Sequence, residues 1–200
     1  MSHEYRVPPK SRADIEHYSY AWRDALGVAH SCLVPDVIAL LENELPKLFC
    51  DFALLVKDDQ LMDGAEGYTE FEPSPRIVLS DSAYLSAGNH KGRGRWTAAH
   101  ELGHLVLHKG AVPFERATGT YTKMRQLAVF ESAEWQANAF AAGFLMPEHL
   151  IRDFTDAGEI ADFFSVSRQA AENRIKTLGL SPRRAIAPQV VQAISQIERR

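Results

Sequence analysis

The pattern of apolar and polar residues predicts helices along most of the chain and a short group of strands before its midpoint. Helical patterns cover residues 11–26, 35–45, 96–108, 131–146 and 168–178. Gly27 and Gly179 follow the first and the last of these patterns, as helix-ending glycines commonly do. Pro46 and Pro147 follow the second and the fourth, because proline rarely continues a helix. A short helix after Pro147 and a terminal helix over residues 186–200 complete the helical prediction.

Three short segments have the length and side-chain pattern of β-strands. Residues 52–56 form an apolar run, residues 68–71 alternate between apolar and polar, and residues 76–80 are again mostly apolar. Residues 63–67 contain two glycines and mark a turn. All three segments precede the helix over residues 96–108. The pattern therefore predicts an α+β fold, mostly helical, with a small three-stranded twisted sheet packed against that helix.

Length and composition are those of one soluble globular domain. The 200 residues are 46% hydrophobic and 24% charged, and the polar N-terminus has no apolar stretch of signal-peptide type. We expect a flexible N-terminal arm over residues 1–12, one domain over residues 13–180 and a helical tail over residues 181–200. The longest apolar run, residues 137–146, is too short to span a bilayer, so we expect a cytoplasmic protein with no membrane partner.

Charge and cysteine content narrow the possible functions. The formal net charge of −4 gives no electrostatic reason for nucleic acid to be the main partner. Residues 166–171 are similar to half of a helix-turn-helix, but no second basic helix accompanies them, so packing is favoured over DNA binding. The basic residues 90–95 lack a phosphate-binding signature, and we expect a solvated loop there. Cys32 and Cys50 form no CxxC motif, which indicates free thiols.

The sequence HELGH at residues 100–104 carries the main chemical signal. His100 and His104 are four residues apart, so on a helix they lie on one face about one turn apart. Two imidazoles in this arrangement can share one tetrahedral zinc ion. Glu101 lies about 100° around the helix from His100, so it can face a metal-bound water as a general base. The pattern predicts the centre of a zinc hydrolase.

A catalytic zinc ion usually has three protein ligands, and HELGH supplies two of them. A third histidine ten residues after the first is excluded, because Gly110 occupies that position. A carboxylate from a later helix is the other common solution, and the downstream candidates are Glu131, Glu134 and Glu148. Glu134 is the best placed, at the start of an apolar helix. The residues alone leave open whether Glu134 binds zinc or is a solvated first-turn acid stabilised by the helix dipole.

Several polar residues near these positions have more than one possible role. His108 is interpreted as a helix-end histidine that faces the last carbonyls, and not as a fourth ligand. His90, Tyr121 and Arg125 lie in loops that could reach a cleft and stabilise an oxyanion, although a surface position is the simpler interpretation of each. Asn138 either hydrogen-bonds a metal ligand or caps backbone within a packed helix pair. Residues 111–130 are expected to form a loop that shapes the cleft.

The chain resembles the ImmA/IrrE family of metallopeptidases in three blocks of sequence. The first block is residues 95–108 with HELGH, and the third is residues 164–180. The second block, residues 134–147, contains the pattern E-x-x-A-N-x-F-A and ends in LMP. This second block is the specific one, because HExxH alone is shared by many unrelated peptidases. The resemblance covers roughly residues 20 to 180.

This resemblance implies a zincin-like fold and assigns roles to particular residues. It implies that His100, His104 and Glu134 bind Zn2+, and that Glu101 is the catalytic acid and base. The family often has a second acid where this chain has Gln136, so no role is assigned to that position. The resemblance also implies a protein substrate, such as a transcriptional repressor or an antitoxin-like regulator.

We therefore expect a zinc-dependent endopeptidase that hydrolyses a peptide bond in a protein substrate. An extended substrate could add along an exposed sheet edge, for which the strand at residues 77–79 is proposed. The alternative is a non-catalytic zinc-containing interaction module that binds a regulator or a toxin partner. An intact Glu101 argues against that alternative, since a purely structural site has no use for a general base. A DNA-associated regulator acting through residues 164–180 is the weakest hypothesis, and the oligomeric state is not predicted.

Overall fold

The computed structural model describes residues 7–28, 34–109, 129–152, 154 and 156–180. In these ranges the chain forms helices α1 (Arg12–Ala25), α2 (Val37–Ala39), α3 (Leu45–Leu48), α4 (Asp81–Gly88), α5 (Gly92–His108), α6 (Ala133–Leu145), α7 (Glu148–Ile151), α8 (Ala157–Phe164) and α9 (Arg168–Leu178), and strands β1 (Ala53–Lys57), β2 (Gly67–Glu70) and β3 (Arg76–Ser80). The fold is α+β and mostly helical, as predicted. None of these helices combines the length and apolarity needed to cross a membrane. The predicted tail helix, residues 186–200, and most of the predicted loop, residues 111–130, lie outside the described residues.

The three strands form one mixed sheet in the order β1, β3, β2. β3 is the central strand, parallel to β1 and antiparallel to β2. The prediction that a substrate adds along residues 77–79 is therefore wrong, because β3 already has a hydrogen-bonded strand on each side. β2 lies at an edge of the sheet, and no other described strand pairs with its outer side.

Helix α5 forms the centre of the hydrophobic core. One of its faces packs against β2 and β3, and another packs against α6, while α1 covers the far side of α6. The fully buried apolar side chains at these contacts include Ile15, Ile77, Leu79, Ala98, Ala99, Leu102, Leu105, Phe140 and Phe144. Any polar group on the inner faces of α5 and α6 is thereby taken out of water and needs a partner.

The start of α5 differs from the prediction of a solvated basic loop over residues 90–95. The helix begins at Gly92, and the glycines in its first turn allow close packing against neighbouring segments. A Cβ atom on Gly94 would lie 2.5 Å from both the Ala83 oxygen and the Ala87 nitrogen of α4. Arg95 is fully buried and its Nη1 donates a hydrogen bond of 2.8 Å to a backbone carbonyl oxygen, that of Pro35. These residues pack the helix against its neighbours, so that part of the prediction is wrong.

Two further helical features depart from the sequence pattern. Pro46 does not end the second predicted helix, because the helical turns continue from α2 through a π-helical turn at Leu40–Glu44 into α3. Pro46 lies in the first turn of α3, a position that tolerates proline. Helices α4 and α8 were not predicted. Each has only eight residues, too few to show a clear helical period.

Residues 7–10, which belong to the predicted N-terminal arm, form backbone hydrogen bonds with the chain segment that precedes α6. The backbone nitrogen of Val7 donates to the Glu131 oxygen at 2.9 Å, and that of Lys10 donates to the Phe130 oxygen at 3.2 Å. The Val7 side chain is buried. This N-terminal segment, residues 7–10, thus lies close to the start of the helix that contains Glu134.

We expect the substitution Gly94→Ala to destabilise the protein by about 1–3 kcal/mol, because the added Cβ would push α4 and α5 apart. Gly88→Ala is the matched control, since a Cβ there would meet nothing within 4 Å. The control is expected to be neutral or to raise stability by up to about 1 kcal/mol. Urea unfolding of both variants measures the difference. Equal stabilities for the two variants would contradict the close contact at Gly94.

Candidate metal centre

Helices α5 and α6 pack against each other and bring two histidines and one carboxylate together. The Nε2 atoms of His100 and His104 are 3.0 Å apart. The carboxylate oxygens of Glu134 lie 3.4 Å from His100 Nε2 and 3.3 Å from His104 Nε2. One potential ligand atom from each residue lies within 4.8 Å of the other two. Two imidazole nitrogens and a carboxylate oxygen are donors that suit a catalytic zinc ion, so this cluster fits a divalent metal.

Glycine at position 103 allows the two helices to approach closely at this point. A Cβ atom there would lie 3.1 Å from both the Ala137 oxygen and Phe140 Cδ1 of α6. Ser132 caps α6, its side chain accepting a hydrogen bond from the Trp135 nitrogen at 3.1 Å, and this fixes the turn that begins the helix. HELGH therefore supplies two histidines and also the small residue that lets the opposite helix reach them.

Of the three downstream carboxylates, Glu134 is the one that the structure places beside the histidine pair. Glu134 faces the histidine pair with its side chain 31% exposed, so it is not simply a solvated first-turn acid. Neither Glu131 nor Glu148 belongs to the cluster found among the described residues. Glu148 instead pairs with Arg152 on the surface.

The residues of the cluster shift one another's pKa values. Interactions with the imidazoles of His100 and His104 hold the pKa of Glu134 well below its usual range, although partial burial opposes this shift. Burial lowers the pKa of His100, but the hydrogen bond to Glu134 and the charges of Glu101 and Glu134 outweigh burial and raise it overall. Glu134 is therefore a carboxylate at neutral pH, and the site attracts a cation.

Glu101 lies beside the cluster without being part of it. Its side chain is buried, and the hydroxyl of Thr69 lies 2.8 Å from Glu101 Oε2 and 3.0 Å from the Glu101 backbone oxygen. Burial raises the pKa of Glu101, while nearby His100 and His104 oppose this shift. Gly67 of β2 makes room for this carboxylate, because a Cβ there would lie 3.1 Å from Glu101 Cγ. The sheet thus holds the residue predicted to act as the general base.

The second nitrogen of each histidine also has a partner. His100 Nδ1 lies 3.2 Å from Asn138 Oδ1. Of the two roles considered for Asn138, the structure thus shows the hydrogen bond to a candidate metal ligand. His104 Nδ1 lies 3.1 Å from His108 Nδ1, and His108 Nε2 lies 3.2 Å from Gln136 Oε1. The prediction that His108 faces the helix-end carbonyls is wrong. Burial lowers the pKa of His108 to about 4, and Gln136, which had no predicted role, is its buried partner.

A groove of about 980 Å³ lies between α5, α6 and α9. Its lining includes Trp96, Thr97 and Trp135, together with Asn138, which connects the groove to the cluster through its contact with His100. The far wall includes Arg174, which is buried. The groove offers aromatic and amide groups to a chain that approaches the cluster from this side.

Arg174 fixes α9 to two other helices. Its Nε donates a hydrogen bond of 3.0 Å to the Met146 oxygen, and its guanidinium forms an ion pair with Glu16 of α1. The position of the far wall of the groove is therefore set by a buried cation.

The loop residues considered for oxyanion stabilisation are not brought to this site by the described structure. His90 is exposed in the turn between α4 and α5, where its φ is 55°, and it lines neither the cluster nor the groove. Tyr121 and Arg125 lie outside the described residues. The hypothesis about these two residues stays a prediction.

A protein-family model, the IrrE N-terminal-like domain of peptidase family M78, matches residues 54–176. The match covers more than half of the chain, from β1 into α9, and includes HELGH and Glu134. The protein belongs to this family. The IrrE-like domain identified here confirms the resemblance drawn from the three sequence blocks, and it makes the chain a metallopeptidase-like protein. A search of curated proteins finds no match to this IrrE-like chain.

We expect the metal-free IrrE-like protein to bind one zinc ion and to gain thermal stability when it does. Glu134→Gln should weaken zinc binding by about 100-fold or more, because loss of even an outer partner of a ligand costs roughly 10–100-fold. Glu148→Gln removes the same charge from the surface and should bind zinc as the unmodified protein does. Competition with a chromophoric chelator measures both affinities. Equal zinc affinity in the two variants would contradict the assignment of Glu134.

Proposed function

We propose that this protein is a zinc-dependent endopeptidase that hydrolyses a peptide bond in a protein substrate. The observation that carries the proposal is the convergence of His100, His104 and Glu134, with the buried carboxylate of Glu101 beside them. Membership in a peptidase family supports the reaction class. The nitrogen and oxygen donor set supports zinc as the metal.

His100, His104 and Glu134 would hold the zinc ion. Bound there, it would supply Lewis acidity that makes a water molecule more acidic and stabilises negative charge on the substrate carbonyl oxygen. Glu101 accepts a proton from the water that attacks the scissile carbonyl carbon. As the carbon–nitrogen bond breaks, Glu101 returns that proton to the leaving amine. Thr69 orients the Glu101 carboxylate during both transfers, since its hydroxyl reaches Oε2.

The edge strand β2 is the best place for an extended substrate. The Ser80 nitrogen donates to the Glu66 oxygen at 2.9 Å, which fixes the alternation of hydrogen-bonded pairs along the antiparallel β2–β3 ladder. By that alternation the backbone N–H and C=O groups of Gly67 and Thr69 point away from β3. A substrate strand that pairs with them would lie beside Glu101, because the side chain of Thr69 contacts that carboxylate.

The groove beyond Asn138 provides space for substrate side chains on one side of the scissile bond. Trp96 and Trp135 favour apolar or aromatic side chains there. The resemblance to the ImmA/IrrE family suggests that the substrate is a transcriptional repressor or an antitoxin-like regulator.

Glu101→Gln is expected to lower kcat/KM by about 10²- to 10⁴-fold, the usual contribution of general acid–base catalysis, while zinc is retained. A pull-down with this variant should trap an uncut protein partner, and digestion of that partner by the unmodified protein measures cleavage. Thr69→Val serves as a graded control and should lose much less activity, since it removes one hydrogen bond to Glu101. If the unmodified protein binds zinc and the partner but never cleaves it, the chain is instead a non-catalytic interaction module.

Pairing with β2 predicts a pattern of sensitivity along the substrate backbone. N-methylation of the substrate residues that pair with Gly67 and Thr69 should lower kcat/KM at least tenfold, because each methyl group removes one ladder hydrogen bond and adds a steric clash. N-methylation of the intervening residues should have little effect, because their N–H groups face away from β2. A series of peptides methylated at one position each checks this prediction. A uniform response along the series would exclude strand addition at β2.

A further inference from the structure

A directional hydrogen-bond chain begins at His104 and ends at two backbone carbonyls. The chain runs from His104 to His108 on the next turn of α5, and then to Gln136 of α6. His108 is 5% exposed and Gln136 is fully buried, so neither side chain is free to exchange these partners for water. This chain lies on the side of His104 that faces away from Glu134.

The orientation of the Gln136 amide fixes the direction of every hydrogen bond in the chain. The side-chain nitrogen of Gln136 lies 2.9 Å from the backbone oxygens of both Pro8 and Phe130. Carbonyl oxygens only accept hydrogen bonds, so the NH2 group must face them and Oε1 must face His108. His108 Nε2 therefore carries a hydrogen and donates it to Gln136 Oε1.

This direction passes from His108 to His104. A neutral imidazole has one N–H group, and in His108 that group is at Nε2, so Nδ1 is an acceptor. The partner of His108 Nδ1 is His104 Nδ1, which must then be the donor. With its hydrogen at Nδ1, His104 presents the lone pair of Nε2 to the space shared with His100 and Glu134. Nε2 is the atom that the proposed metal site requires.

We propose that His108 and Gln136 are positioning residues, which hold His104 in the ring orientation and tautomer that direct its Nε2 to the metal. The inference rests on the proposed zinc site, but it concerns side chains that do not touch the metal or the substrate. The backbone of the N-terminal segment anchors this series of hydrogen bonds, because the Pro8 carbonyl accepts one of the two hydrogen bonds that Gln136 donates. His100 has its own, separate partner in Asn138.

The test combines zinc affinity with the tautomer of His104. Zinc affinity is measured by chelator competition, and the tautomer by long-range ¹H–¹⁵N spectra of the full chain with and without zinc. His108→Leu removes the acceptor beside His104 Nδ1 and should weaken zinc binding by about 10–100-fold. It should also change or broaden the His104 Nδ1–H signal. His108→Asn restores an acceptor oxygen close to that position and should recover most of the affinity and the Nδ1–H signal.

Gln136→Leu tests the next bond in the chain. It removes the acceptor that fixes His108, so the Nδ1–H of His104 should exchange faster with solvent and zinc binding should weaken. Asp156→Ala is the matched control for lost stability, because it removes the N-cap of α8, away from this chain of contacts. This control should lower Tm while zinc affinity and the His104 signals stay unchanged.

Two results would overturn the inference. One is a His108→Leu protein with unchanged zinc affinity and an unchanged His104 tautomer. The other is a His108→Asn protein as impaired as His108→Leu, which would show that His108 acts by packing alone. Both readouts are independent of cleavage, so a failure of the peptidase proposal would leave this test intact.

Discussion

The distance between α5 and α6 controls whether the donor atoms of the site can meet. His100 and His104 belong to one helix and Glu134 to the other, so their separation depends on how closely the two helices pack. Gly103 removes the side chain that would otherwise stand between the two backbones. Burial of the apolar residues on both helices supplies the driving force that closes the gap. The site is therefore a product of the core packing around it.

The same packing places several polar groups where water cannot reach them. Arg95, His108 and Gln136 are all buried between helices, and each forms hydrogen bonds with named partners. Burying such groups costs free energy unless they are paired, and a satisfied network disfavours every arrangement in which its members are misaligned. In this protein the network lies against one histidine of the site. If the proposed zinc site is correct, the direction of these hydrogen bonds also fixes which nitrogen of that histidine can bind the metal.

Much of the fold and part of the site could be predicted from sequence because their signals are local. The four-residue spacing of His100 and His104 depends only on helix geometry. The residue pattern also predicts both ends of β3 and the end of α5 at His108. Thr69 escaped prediction because it meets Glu101 only after β2 packs on α5. Gln136 escaped for the same reason, since its partners come from α5 and from the N-terminal segment. Glycines in a basic stretch suggested a loop, whereas close contact between helices explains them.

The anchoring of α9 has a consequence for how the protein would choose its target. Arg174 connects this helix to α1 through Glu16 and to the end of α6 through the Met146 oxygen. The far wall of the groove therefore cannot move without breaking the ion pair of a buried arginine. If the protein is a peptidase, as proposed, a groove with such a rigid wall would select substrates by size and shape before they reach the metal site. A folded protein would have to offer a loose, unpaired stretch of chain to enter it, which favours targets that are already partly unfolded or that carry an exposed linker.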